Sequence, residues 1–145
     1  MADHGRFVLD AFAVLAMLGG EPGGEIVQAI CADPNAMIWM SVIHLGEVYY
    51  ILLRRRGETA ARAAEQAARE HPNITIVDAE WNRVRAAAVI KAKGGLSFAD
   101  AFAAAMAREM EAVLVTDDPE YRALEQSGDL RVRWIRPRPD APATP

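Results

Sequence analysis

Short apolar runs alternate along the chain with longer stretches of helical composition. Phe7-Val8-Leu9 is the first run, and it stops at Asp10. Ala11 to Leu18 reads as a helix ended by Gly19-Gly20, and Glu25 to Ala32 as a second, closing before Asp33-Pro34. Met37 to Met40 reads as a buried strand, after which Ser41 opens a long helix to Arg56, stopped by Gly57. An Ala-rich helix over Glu58 to Glu70, broken by His71-Pro72-Asn73, leads to a third strand at Ile74 to Val77. Helices over Ala79 to Lys93 and Ser97 to Glu109, separated by Gly94-Gly95, precede a fourth strand at Ala112 to Val115. Asp118-Pro119 starts a short helix, and Leu130 to Ile135 is a fifth strand. The runs are apolar without alternation, as expected of a parallel sheet buried on both faces. The expectation is therefore an α/β domain over residues 1–136, with a proline-rich tail at 137–145 expected to be mobile.

Composition narrows the functional classes. The 145 residues are 52% hydrophobic and 25% charged, as in an ordinary globular domain. The net charge of −4 argues against a general basic coat for nucleic acid, though it permits a local basic patch. The single cysteine, Cys31, forms neither an internal disulfide nor a cysteine-based zinc site, and it reads as a buried apolar residue. No signal peptide is visible, and the longest apolar stretch, Phe7 to Leu18, is too short to span a bilayer. A cytoplasmic location away from membranes is expected.

Four acids stand where such a sheet gathers its ligands. Asp10 follows the first strand, Glu47 lies under two helical turns past the second, and Asp118 follows the fourth. Asp100 lies early in the helix leading to the fourth strand, and it reaches the same end only if the chain reverses near Lys93 to Leu96. Each has a bland reading. Asp10 and Asp118 suit helix caps, and Ser97-Phe98-Ala99-Asp100 resembles a capping box. Glu47 is harder to explain, because its helix is largely apolar and offers no Lys or Arg three or four positions away. Asp117 adjoins Asp118 and is its runner-up.

Four carboxylates in one cleft would repel, and several would take up protons unless a cation intervened. All-oxygen donors select a hard ion, Mg²⁺ or Mn²⁺ over zinc, and the number of ions stays open. Such an ion polarises a phosphodiester and activates water. Ser41 and Thr116, at strand ends, are candidates to orient the carboxylates or hold metal-bound water, with capping as an equal alternative.

These segments resemble a known family. Phe7-Val8-Leu9-Asp10-Ala11-Phe12-Ala13 resembles the opening motif of PIN domains, and Ser41 to Val48 is similar to the second, which carries the Glu. Leu96 to Ala101 resembles the third and Val113 to Tyr121 the fourth, in family order across most of the chain. The resemblance is nearest to the VapC-type toxins of bacterial toxin–antitoxin pairs. It implies a three-layer α/β/α PIN-like fold around a short parallel sheet of about five strands. It further implies an Mg²⁺- or Mn²⁺-dependent endoribonuclease acting on RNA, tRNA or another structured RNA included, a homodimer, and a VapB-type antitoxin partner. Asp10, Glu47, Asp100 and Asp118 would then carry the metal and the chemistry, the last favoured over Asp117 by its distance from the Thr. His44 stands where the family leads one to expect a small or amide residue, and it reads as a helix-surface histidine before a substrate contact.

Arg54-Arg55-Arg56 would suit RNA phosphates or, more plainly, a helix C-terminus. Arg131, Arg133, Arg136 and Arg138 read as edge protection before RNA contact. Tyr49, Tyr50, Trp39, Trp81 and Trp134 read as core or dimer packing before base stacking. Two other functions remain. A phosphatase-like hydrolase with an Asp nucleophile usually needs a second Asp two positions on, where Phe12 stands. A non-catalytic PIN-like interaction module would be expected to have lost one of the acids.

Overall fold

A computed structural model describes residues 5–136, so the expected tail, residues 137–145, lies outside the described residues. The elements run in the order β1 (Arg6–Leu9), α1 (Ala11–Leu18), α2 (Gly24–Ala32), β2 (Met37–Ser41), α3 (Val42–Arg56) and α4 (Glu58–Glu70). There follow β3 (Ile74–Val77), α5 (Trp81–Ala92), α6 (Phe98–Glu109), β4 (Val113–Thr116), a 3-10 turn (Pro119–Tyr121), α7 (Arg122–Gln126) and β5 (Val132–Trp134). The expected alternation is present. Its last strand is shorter than expected, because Leu130 and Ile135 bury themselves in the core beyond the ends of the ladder.

All strand pairings are parallel, in the order β3-β2-β1-β4-β5. Side chains on successive residues of a strand point to opposite faces, and here both faces are covered. Phe7, Leu9, Ile38, Met40, Val113 and Val115 pack with α1 to α4 on one side. Val8, Leu114 and Val77 pack with α5 and α6 on the other. This is the three-layer α/β/α arrangement. Gly24 lets α2 lie close to α1, since a Cβ there would run into the Ala16 carbonyl. No helix among the described residues is long and apolar enough to cross a membrane.

From β1 the chain winds outward through β2 to β3, then returns past both to place β4 on the other side of β1. The strand order therefore reverses between β1 and β4, and in sheets of this kind ligands are held beyond the carboxyl ends of the strands at such a reversal. The return is made by α5 and α6. Arg83, at the start of α5, bridges Glu109, at the end of α6, at 3.0 Å, so the two helices form an antiparallel pair. Their connection is fastened where the Lys91 ammonium donates to the Leu96 carbonyl. The reversal required for Asp100 is thus supplied by a helical hairpin.

Candidate metal centre

Asp10 ends β1 and caps α1. Its Oδ1 accepts the Ala13 N–H at 2.9 Å, which satisfies one free donor of the first helical turn. Leu9 is in register with Val115, so the next residue of β4, Thr116, lies beside Asp10. The Thr116 hydroxyl donates to Asp10 Oδ2 and accepts the Asp118 N–H at 2.9 Å. One hydroxyl thereby ties the acid after β1 to the acid after β4. Asp10 and Thr116 are fully buried.

Asp118 caps the 3-10 turn, with Oδ1 accepting the Glu120 N–H at 3.0 Å. Asp100 is buried at the mouth of α6. Its N–H donates to Ser97 Oγ at 3.1 Å, which is half of the expected capping box. Its own carboxylate turns instead to the buried Tyr121 hydroxyl, which donates to Oδ1 at 2.9 Å. Carboxylate oxygens of Asp100, Asp118 and Glu120 all lie within 4.8 Å of one another. Glu120 and Tyr121 were not singled out from sequence. Each lies within three residues of Asp118, on the turn it caps, which was the available signal.

Glu47 joins through His44. Far from a helix-surface residue, His44 is 1% exposed, and the expectation for it is corrected. It lies on the inward face of α3, against the starts of α1 and α6. Its Nδ1 accepts the Ala11 N–H at 2.9 Å, and its Nε2 stands 2.7 Å from the Ala99 carbonyl. A backbone N–H only donates and a carbonyl only accepts, so Nε2 carries the proton and Nδ1 is bare. Burial pushes its pKa down to about 4, so the ring is neutral near pH 7. The 3.4 Å approach of Glu47 Oε1 to Nδ1 is then a meeting of acceptors rather than an ion pair. Nε2 lies 3.9 Å from Asp100 Oδ1. The Glu47 side chain is 31% exposed, so this side of the cluster faces solvent.

Burial raises Asp10 to about 7 against its bonds to Thr116 and Ala13, with the charges of Asp117 and Asp118 adding to the rise. Burial raises Asp100 to about 8, with the neighbouring Glu120 and Asp118 adding and Tyr121 opposing. Glu47 is raised by burial and by the charge of Asp118. Burial and the surrounding carboxylates hold the Tyr121 phenol protonated, so it serves as a donor. The acids are packed too closely and too deeply to be charged together without a compensating cation. An all-carboxylate donor set that resists ionisation on its own suits a hard divalent ion.

Other expected residues sort by direction. Asp117 turns away to Arg136, whose Nε is 2.8 Å from Oδ2. The Ser41 hydroxyl accepts the Ile43 N–H at 3.1 Å as the cap of α3. Arg54, Arg55 and Arg56 lie two helical turns beyond Glu47, roughly 10 Å or more along α3, and are not brought to the acids. Arg54 stacks over Tyr50. Trp39 is overlain by Arg6, Trp134 donates to Glu125, and Trp81 is 63% exposed.

A doubly wound parallel sheet with a carboxylate cluster at its switch point defines the class: an α/β domain with a buried acidic cluster of a kind that could hold a metal ion. The match to the PIN domain model spans residues 7–126, so the chain belongs to the PIN-domain family. No curated protein matches the sequence. Solved structures match the fold. VapBC bound to DNA from Salmonella typhimurium matches with a TM-score of 0.67 at 16% identity, over 90% of this chain and 98% of that one. VapBC2 of Rickettsia felis, bound to a promoter DNA fragment, gives 0.65 at 16% identity, over 89% and 98%. VapC20 of Mycobacterium tuberculosis, described as a sarcin-ricin loop cleaving toxin, gives 0.65 at 24% identity, over 81% and 93%.

Proposed function

We propose that this chain is a divalent-metal-dependent endoribonuclease and the toxin of a VapBC-type pair. The observation that carries the reading is the meeting of Asp100 and Asp118 oxygens within 4.8 Å, beside a buried Asp10 bonded through Thr116, in a chain of the PIN family. Asp10, Glu47, Asp100 and Asp118 would hold Mg²⁺ or Mn²⁺, and Glu120 is near enough to join them. A bound divalent ion supplies Lewis-acid stabilisation of a phosphodiester and a lowered pKa for attacking water. The protein's own groups hold the donors in place: Thr116 fixes the Asp10 carboxylate and Tyr121 that of Asp100. Glu47 stands on the open side, where substrate would approach. Arg54, Arg55 and Arg56 would meet phosphates only of an RNA long enough to lie along α3.

The VapBC structures of similar fold motivate a VapB-type antitoxin partner, and the homodimer is carried over from the motif resemblance alone. Co-purification reads the first and sedimentation of the pure chain the second. The test of the activity is cleavage of structured RNA with added Mg²⁺ or Mn²⁺. Chelator should stop it, and Asp10→Asn should lower it by about 100-fold or more while circular dichroism stays native, because Asn still caps α1. Equal cleavage by parent and variant refutes the assignment. Hydrolysis of phosphate monoesters without RNA cleavage favours the phosphatase-like alternative.

A further inference from the structure

We propose that His44 is a positioning residue of the acidic centre, a neutral imidazole that fixes the mutual placement of three acid-bearing segments. The proposal rests on the metal-site reading above.

The geometry is specific. The residue on α3 that bonds outward lies one helical turn before Glu47. Its Nδ1 holds the N–H of Ala11, the residue after Asp10. Its Nε2–H holds the carbonyl of Ala99, the residue before Asp100. One side chain therefore bonds to backbone beside two of the acids, and its own helix bears a third. The segments are far apart in sequence and belong to different layers: α1 and α3 pack on one face of the sheet, and α6 packs on the other. Apolar packing between them has no preferred distance at the scale of metal coordination, whereas two hydrogen bonds to fixed backbone groups do. Any buried histidine needs a partner for each ring nitrogen, and what sets this one apart is which groups it holds. This one has a donor and an acceptor, each satisfied by backbone next to a carboxylate.

A filler role and a positioning role predict different things. His44→Leu keeps apolar volume and removes both bonds. His44→Gln keeps an acceptor and a donor at similar reach. Mn²⁺ affinity is measured by calorimetry on each variant, well below its own Tm and with circular dichroism showing the native fold. His44→Leu should weaken Mn²⁺ binding roughly 10–100-fold, and His44→Gln should recover most of the loss. Native affinity in His44→Leu overturns the proposal, as does a Gln variant no better than the Leu one. Wild-type protein that binds no Mn²⁺ overturns the metal reading itself, and the proposal with it, so the two failures are told apart. A further measurement needs no variant to fold. In ¹⁵N-labelled wild-type protein, the His44 ring should show a bare Nδ1 and a protonated Nε2 at neutral pH. The reverse tautomer or an imidazolium overturns the proposal.

Discussion

Asp117 and Asp118 are chain neighbours that answer to different partners. Asp117 meets the Arg136 guanidinium, whereas Asp118 caps the turn after β4 and faces Asp100. Sequence alone left the pair open, because identical side chains one residue apart carry no mark of direction. The structure separates them. If the cluster holds the metal, Asp118→Asn should lower RNA cleavage by about 100-fold or more, while Asp117→Asn should change it only a few-fold. Paired kinetic measurements on the two variants check this, and equal losses would undo the separation. His44 shows the limit of reading residues singly. A lone polar ring on a helix suggests surface, and the burial of His44 arises only when α1 and α6 arrive from elsewhere in the chain. Asp10 and Asp100 were legible because both sit at element boundaries, although only the Asp10 carboxylate caps its helix while that of Asp100 turns to Tyr121.

Elements were legible in proportion to how strongly local composition marks them. The strands β1 to β4 are short apolar runs, and each was placed from sequence to within a residue at either end. Strand order was not legible, since nothing in a buried run names its neighbour. The antiparallel pairing of α5 and α6 was legible only as a requirement, imposed by the position of Asp100. Close approach of backbones is equally silent in sequence. Gly24 and Gly46 look alike there, yet a Cβ at Gly24 would strike the Ala16 carbonyl, while at Gly46, inside α3, it meets nothing. Gly46→Ala should stabilise the protein by about 0.5–1 kcal/mol, because alanine loses less backbone entropy on forming a helix. Gly24→Ala should destabilise it by about 1–3 kcal/mol through steric strain between α1 and α2. Urea denaturation of both variants measures the contrast, and a shared sign would contradict the packing described.

For the whole molecule, the acidic centre sets a dependence of stability on pH. The folded pKa values of Asp10, about 7, and Asp100, about 8, lie above the ordinary carboxylate range, and Glu47 shifts the same way. Between those limits the raised acids bind more protons in the metal-free folded state than in the unfolded one and together outweigh His44, whose lowered pKa acts the other way below its ordinary value, so stability falls as pH rises. The loss begins near the ordinary carboxylate pKa and runs through pH 7 to 8. A divalent ion bound there, as proposed, would replace the protons, so its stabilising effect should grow across the same window. Melting curves at pH 5 and pH 8, in chelator and in Mn²⁺, should show a falling Tm in chelator and a larger metal-induced gain at pH 8. A gain larger at pH 5 would reverse the sign and refute the charge account.

The topology also carries a consequence for synthesis. Asp10 and Glu47 lie on the portion of chain that winds outward to β3, and Asp100 and Asp118 on the portion that returns. A nascent chain emerging from the ribosome therefore holds half a centre until its fourth strand slots in beside the first. Any prematurely ended product that lacks that strand is left without a complete set of acids, and so without the centre they form only together.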